Sequence, residues 1–324
     1  MGGLRPLEGS VIDKEILYME KKIINGGTYC TLVSQLDKLA RHNRQGSFRT
    51  KERYYEAFKR FCAYLADEFH LQKLENVSGR HLTCYVLHMQ ENGKSASTIK
   101  TDLAAIRFFH DKMSRPKYRL PTNEELAVEL ERRCFGSVDR TWSTAEFNRM
   151  LGKALAEDRY DFILALYLGR YAGLRIHECF RLDTAAAEQT LRENVVTVKG
   201  KGGKVRTVPI NEQIVIAMRK QLDRTPRGHK LLVLDGMPTH RAIALLQLFI
   251  IRHRSEVQDP GSDRPLTFHG LRHTYAAEKY RELTEGGTGA LDAHFAVSRL
   301  LGHERADVTN IYLASVRKGE KHGH

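Results

Sequence analysis

Cysteine is scarce in this 324-residue chain. The five present (Cys30, Cys62, Cys84, Cys134 and Cys179) are odd in number, widely spaced and include no Cys-x-x-Cys pair. That pattern excludes a disulfide framework and a cysteine-based zinc cluster; it points to a reducing compartment, with most thiols serving as small core residues. No apolar run reaches membrane-spanning length and no signal peptide is recognisable, so a soluble, cytoplasmic protein without a membrane partner is expected. Two enzyme signatures are missing as well. The GKGGK run at 200–204 lacks the GxxxxGK[ST] spacing of a phosphate-binding loop. His269 and His273 stand four apart, but Gly270 occupies the place where a zinc protease carries glutamate and no third ligand is evident, so no metal and no other cofactor is expected.

Acidic residues are outnumbered, 39 Asp and Glu against 52 Lys and Arg, giving a net charge of +13. The excess is spread evenly, 23 basic against 17 acidic residues up to position 136 and 29 against 22 beyond it. Both halves are basic, as expected if both touch one polyanion. A solvated Lys/Arg surface has the same composition, so charge alone leaves the partner open.

Taken in order, residues 1–27 are an extension holding one short amphipathic helix (VIDKEILYMEKKI). Residues 28–114 read as a compact four-helix unit. Leu32, Leu36 and Leu39 share one face, Tyr54, Phe58, Phe61 and Leu65 repeat every three or four residues, GRHLTCYVLHMQEN stops at Asn92-Gly93, and Ile99, Leu103, Ile106 and Phe109 face inward. Two helix starts suit phosphate oxygens: Arg44, Ser47, Arg49, Thr50, Lys51 and Arg53 at one, Lys94, Ser95, Ser97, Thr98 and Lys100 at the other. Hydroxyls and free N–H groups backed by Lys or Arg favour an anion, although ordinary capping with exposed charge explains any single residue equally well. Residues 115–140 read as a linker, broken by Pro116 and Pro121, with a short helix expected over 123–133. From Thr141 a second domain (141–324) opens on a Ser143–Glu146 capping box. A buried helix ends at Gly173, Arg175 and Glu178 follow three apart, and NVVTVKGKGGKVRTVPI alternates as two strands around a glycine-rich turn. Helices are expected over 211–223 and 239–254. RELTEGGTGALDAHFAVSR, with Gly286, Gly287 and Gly289, reads as a long loop.

The chemistry concentrates in Thr267–Tyr312. His269 and Arg272, three apart on a helix, can converge on one small anion, and a guanidinium fork matches phosphate oxygens. A Tyr hydroxyl near such a clamp can attack phosphorus. Lys201, at the hairpin tip, can reach into a groove and donate a proton to a leaving oxygen. Lys199 and Lys204 are its rivals, and a solvated tip is the bland alternative. His303 after Gly302 can equally be a capping histidine, and Tyr312 a packed one.

Read together, GLRIHE, VKGKGGK, HGLRHTYA and LLGHERADVTNIY resemble the tyrosine recombinases, or phage-type integrases. The match is close over roughly 141–315, and by layout alone before it. The resemblance implies a mainly α fold with a small antiparallel sheet: an N-terminal helical, SAM-like core-binding domain and a mixed α/β catalytic domain closing as a C-shaped clamp on DNA. It assigns Arg175, Lys201, His269, Arg272, His303 and Tyr312 to the six catalytic positions and Glu178 to a supporting one. The implied reaction is attack of Tyr312 on a phosphodiester, with Arg175 and Arg272 stabilising the developing charge, His303 adding a hydrogen bond, His269 accepting the proton and Lys201 protonating the 5′ oxygen. A 3′-phosphotyrosyl intermediate then needs neither ATP nor metal.

The expected partners are double-stranded DNA and three further copies of the chain, a tetramer on two duplexes, with DNA-bending or excision factors as accessories and a nucleoid location. The expected role is integrase of a mobile element. A type IB topoisomerase or telomere resolvase shares the chemistry without exchange, and a non-catalytic DNA-binding protein shares only the grip on phosphate. Only twelve residues follow Tyr312, which suits a docking strand or brief segment better than the C-terminal helix many relatives exchange.

Overall fold

A computed structural model describes residues 24–41, 48–131, 139–200, 203, 205–302, 309 and 312, with side chains from 50 onward in the second of these stretches. The chain divides into two units, 1–133 and 134–324. The amphipathic segment expected within 1–27 lies outside the described residues.

The first unit contains α1 (Gly26–Arg41), α2 (Phe48–Phe69), α3 (Gly79–Glu91) and α4 (Ala96–His110), with a 3-10 turn at Leu74–Asn76. These are the four helices expected, because the apolar period in each segment matches the helical repeat. Leu32 and Leu36 of α1, Phe58, Phe61 and Leu65 of α2, and Ile99, Leu103, Ile106 and Phe109 of α4 form one core. The Phe58 ring meets Phe61 and Phe109 edge-on at 5.8 and 5.5 Å, the arrangement preferred by aromatic quadrupoles. Asp102 is buried in this unit, and both its oxygens accept from Arg60 Nη2, at 3.1 and 2.9 Å.

The expected helix over 123–133 is not found: residues 123–128 form bends and 129–131 have no regular structure. The Glu125 carboxylate accepts from the Thr122 backbone N–H (2.7 Å), a local bond that closes a turn in competition with helix. Arg107 donates to the Pro121 carbonyl and to Asn123 Oδ1, both at 2.8 Å, and Leu120 and Leu126 join the first core. Residues 120–126 of the segment read as a linker are therefore packed against the first core.

The second unit runs α5 (Thr144–Ala156), α6 (Tyr160–Tyr171), α7 (Ile176–Cys179), α8 (Thr184–Glu193), β1 (Val195–Lys199), β2 (Val205–Pro209), α9 (Glu212–Leu222), α10 (Thr239–Val257), α11 (Phe268–Glu285) and α12 (Ala290–Leu301). The Ser143–Glu146 capping box forms as expected, with bonds of 2.8 and 3.0 Å. β1 and β2 pair antiparallel from Val195↔Pro209 to Lys199↔Val205, and Val196, Val198 and Val208 point into the core. Two helices were not anticipated. α8 is capped by Asp183, which accepts from Ala186 N–H at 2.8 Å. α12 occupies most of the stretch read as a long loop. The glycines at 286–289 make only a turn, after which Ala293, Val297 and Leu301 recur every four residues and are fully buried. No helix among the described residues is long and apolar enough to cross a membrane.

Candidate active site

The site is built where α6 ends. Gly173 takes φ +61°, and a Cβ there would stand 2.4 Å from the Tyr275 ring, so both its conformation and its closeness to α11 require glycine. The sharp exit frees the Gly173 carbonyl, which accepts from Arg272 Nη1, and turns Arg175 to the start of α7. Glu178, on the single turn of α7, accepts from the Arg175 backbone N–H (2.8 Å) and from Arg175 Nη1 (3.1 Å). The Glu178 side chain is fully buried, whereas that of Arg175 is 26% exposed.

The first turn of α11 carries the His-x-x-Arg pair. Thr267 caps it by accepting from Gly270 N–H (3.2 Å). The segment leading into α5 crosses that turn: Trp142 Nε1 donates to the Thr267 carbonyl at 2.9 Å, and Trp142 N–H to Thr274 Oγ1 at 2.8 Å. A Cβ at Gly270 would lie 2.4 Å from the Arg140 carbonyl, which explains glycine between the histidine and the arginine. Arg272 is inaccessible to solvent, and its guanidinium also donates to the Leu301 carbonyl, tying α11 to the end of α12. His269, by contrast, keeps an exposed face.

Tyr312 closes the site from the far end of the chain. Only 6% exposed, it places its hydroxyl 3.2 Å from His269 Nε2 and its ring 4.5 Å from that of His273. The Arg272 guanidinium carbon lies 5.5 Å from the Tyr312 ring centre, within cation–π range. A groove of about 570 Å³ runs beside the site, lined by Arg175, His177, Leu248, Ile251, Thr267 and His269 among others.

Electrostatics set the protonation states. Burial and the neighbouring Arg272, Arg140 and Arg175 charges hold His269 at a pKa of about 4, so it is neutral at pH 7. With its proton on Nδ1, Nε2 can accept from the Tyr312 hydroxyl. Burial, with His269 and two arginines beside it, takes His273 down to about 3. Arg272 falls to about 10, through burial and repulsion from Arg175, yet stays charged at neutral pH. Burial alone would raise Glu178, but bonds from Arg206 and the Arg175 backbone bring it to about 2.

The fold thus brings together Arg175, Glu178, His269, Arg272 and Tyr312, which span 138 positions in sequence. Lys201, Lys204 and His303 lie outside the described residues, as do Arg44, Ser47 and the side chain of Arg49. In the first unit Thr50, Arg53, Lys94, Ser95 and Ser97 are exposed, and Lys51 and Thr98 partly so. Ser95 caps α4 through Thr98 N–H (3.3 Å), and the Lys100 ammonium donates to the Glu131 carbonyl (2.6 Å). Lys199 is exposed at the end of β1.

Two neighbours of the site escaped the sequence reading, His273 as a ring partner of Tyr312 and Arg206 as a ligand of Glu178. A signal for Arg206 exists: it lies two residues before the buried Val208, and so on the core-facing side of β2.

In this arrangement the Tyr312 hydroxyl stands on a neutral imidazole, with the Arg272 guanidinium against the tyrosine ring and the Arg175 charge close enough to lower the pKa of His269. The phage integrase family matches residues 144–318, and the N-terminal phage integrase domain matches 30–117. The chain belongs to this family and is a site-specific tyrosine recombinase. The tyrosine recombinase XerD of Halalkalibacterium halodurans is 24% identical, over 82% of this chain and 87% of the relative. XerD of Pseudomonas putida is 31% identical over about half of each chain. Among solved structures, the Tn1549 transposon integrase in complex with transposon right end DNA covers 90% of this chain and 99% of its own, at 18% identity and a TM-score of 0.55. A lambda integrase tetramer bound to a Holliday junction covers 94% and 81%, at 16% identity and a TM-score of 0.58. These structural likenesses bear on the fold.

Proposed function

We propose that this recombinase cuts and rejoins double-stranded DNA through a covalent 3′-phosphotyrosyl intermediate at Tyr312, and that its biological role is integration of a mobile element. The carrying observation is the 3.2 Å approach of the Tyr312 hydroxyl to an imidazole that is unprotonated at neutral pH. In the first step the Tyr312 oxygen bonds to phosphorus, its proton passes to His269 Nε2, and the bond from phosphorus to the 5′ oxygen breaks. Lys201 supplies the proton to that oxygen, and Arg175 and Arg272 stabilise the charge that builds on the non-bridging oxygens, helped by His303. The phosphotyrosyl bond conserves the energy of the broken linkage, so rejoining requires only a 5′-hydroxyl. When that hydroxyl belongs to a second duplex, the product is a Holliday junction, which calls for several protomers on two duplexes. The Tn1549 and lambda proteins, an integrase with transposon DNA and one tetrameric on a junction, support this reading by analogy.

Incubation with a nicked duplex carrying a candidate attachment site tests the proposal. The native chain should trap a protein-linked strand, and Tyr312→Phe should trap none while binding the duplex equally well. Junction products separate exchange from simple relaxation. Equal adduct from Tyr312→Phe would sink the proposal.

A further inference from the structure

Glu178 is buried with every acceptor position in use. Oε1 accepts from Arg175 Nη1 (3.1 Å) and Arg206 Nη1 (2.9 Å), and Oε2 from the Arg175 backbone N–H (2.8 Å) and Arg206 Nη2 (2.6 Å). A carboxylate offers about four lone-pair sites, so this one is saturated. Arg206 takes the bidentate fork and leaves Arg175 a single side-chain bond. The Arg206 side chain is only 10% exposed and directs its third nitrogen, Nε, to the Leu300 carbonyl at 3.1 Å. The two arginines therefore divide the labour. Arg206 neutralises the buried carboxylate, and Arg175, 26% exposed, keeps most of its fork for a substrate.

We infer that Arg206 is a positioning residue for strand cleavage: by filling half of Glu178 it prevents Arg175 from closing bidentately on that carboxylate, and so holds the Arg175 fork towards the scissile phosphate. This rests on the DNA-cleaving role of Arg175 proposed above. Without Arg206, the ionised and buried Glu178 keeps Arg175 as its hydrogen-bonded cation, while Arg272 acts on it through its charge and spends its bonds on the Gly173 and Leu301 carbonyls. The Arg175 fork then satisfies both oxygens, because a bidentate pair is stronger than one bond and an unpaired buried charge is costly. Arg206 also bonds the last turn of α12, and its Cδ lies 3.1 Å from where a Gly302 Cβ would stand, so the same side chain supports the corner leading to His303. Lysine at 206 cannot reproduce this, having one nitrogen where three are in use.

The test compares single-turnover adduct formation on the nicked duplex by the native chain, Arg206→Gln, Arg206→Lys and the double variant Arg206→Gln/Glu178→Gln, with duplex affinity and melting temperature measured alongside. Arg206→Gln should cut adduct formation about 100-fold at saturating DNA, with affinity changed less than about threefold, and Arg206→Lys should fail to restore it. The double variant should recover about tenfold relative to Arg206→Gln, because a neutral amide no longer captures Arg175. A purely structural role predicts instead that the double variant is as slow as Arg206→Gln or slower, and that result overturns the inference even if Arg206→Gln melts early. Arg206→Gln cleaving at the native rate overturns it as well. Failure of the native chain to form any adduct would count against the proposed chemistry itself, a separate outcome.

Discussion

The two units bury carboxylates in different ways. In the helical unit Asp102 is 2% exposed and meets one arginine, Arg60, whose Nη2 serves both oxygens. In the second unit Glu178 is shared between two arginines and a backbone N–H, and one of those arginines is left partly open. The Arg60–Asp102 pair fastens α2 to α4 through one guanidinium nitrogen. Glu178 instead joins α7 to β2 through two guanidinium groups, and on the proposed chemistry the less committed one, Arg175, is the group that meets the phosphate. The contrast extends to the other buried Arg and Glu side chains: among the described residues Glu146, Arg170 and Arg272 are in the second unit, Arg272 on α11 and Arg170 paired with Glu278 there, while the first unit buries one histidine, His110.

The largest effect that sharpens this contrast is expected at Arg272. Arg272→Ala leaves the Gly173 and Leu301 carbonyls without their donor and removes charge stabilisation, so adduct formation should fall about 1,000-fold or more and the second unit should lose about 3 kcal/mol. Cleavage assays and denaturant melts read the two losses separately.

Glu178 comes next. Its pKa, about 2 in the fold and lower than the ordinary carboxylate value, means that the stabilisation is fully present above about pH 4.5 and is lost as pH falls towards 2. That amounts to about 3 kcal/mol, which Glu178→Gln should remove at neutral pH together with the acid dependence between pH 4.5 and 2. Arg60→Ala should cost the first unit about 2 kcal/mol, less because Arg60 is 38% exposed, and should leave the cleavage rate of bound DNA within about twofold. An equal loss of cleavage in Arg60→Ala and Glu178→Gln would erase the distinction drawn between the pairs.

Smallest is a pH effect. Because His269 sits near pKa 4 in the free protein, the acid limb of the cleavage profile at limiting DNA should lie near pH 4, and the rate should show no inflection from this group around pH 6.5. Titration of cleavage at limiting DNA from about pH 3 to 8 checks this.

Much of this was legible in the chain. Amphipathic repeats in α1 to α4 reveal their helices because each buries one apolar stripe. The dispersed Arg, His and Tyr positions are legible only as a joint pattern, since each alone has an ordinary structural explanation. Three features were not legible, for separate reasons. The 123–131 segment has helical composition, but a Glu125 side-chain bond and docking on Arg107 override it. α12 is hidden behind a glycine-rich turn whose composition suggests a longer loop. The core-facing register of Arg206 on β2 is legible, but its contact with Glu178, 28 residues distant in sequence, is not, because spacing on one element says nothing of a partner on another.

The most direct measurement is to digest the trapped protein–DNA adduct and locate the nucleotide by mass spectrometry. The peptide containing Tyr312 should carry it through the phenolic oxygen, on a 3′ phosphate. A nucleotide on any other residue, or attached through a 5′ phosphate, would contradict the assignment of Tyr312 as the group that breaks the strand.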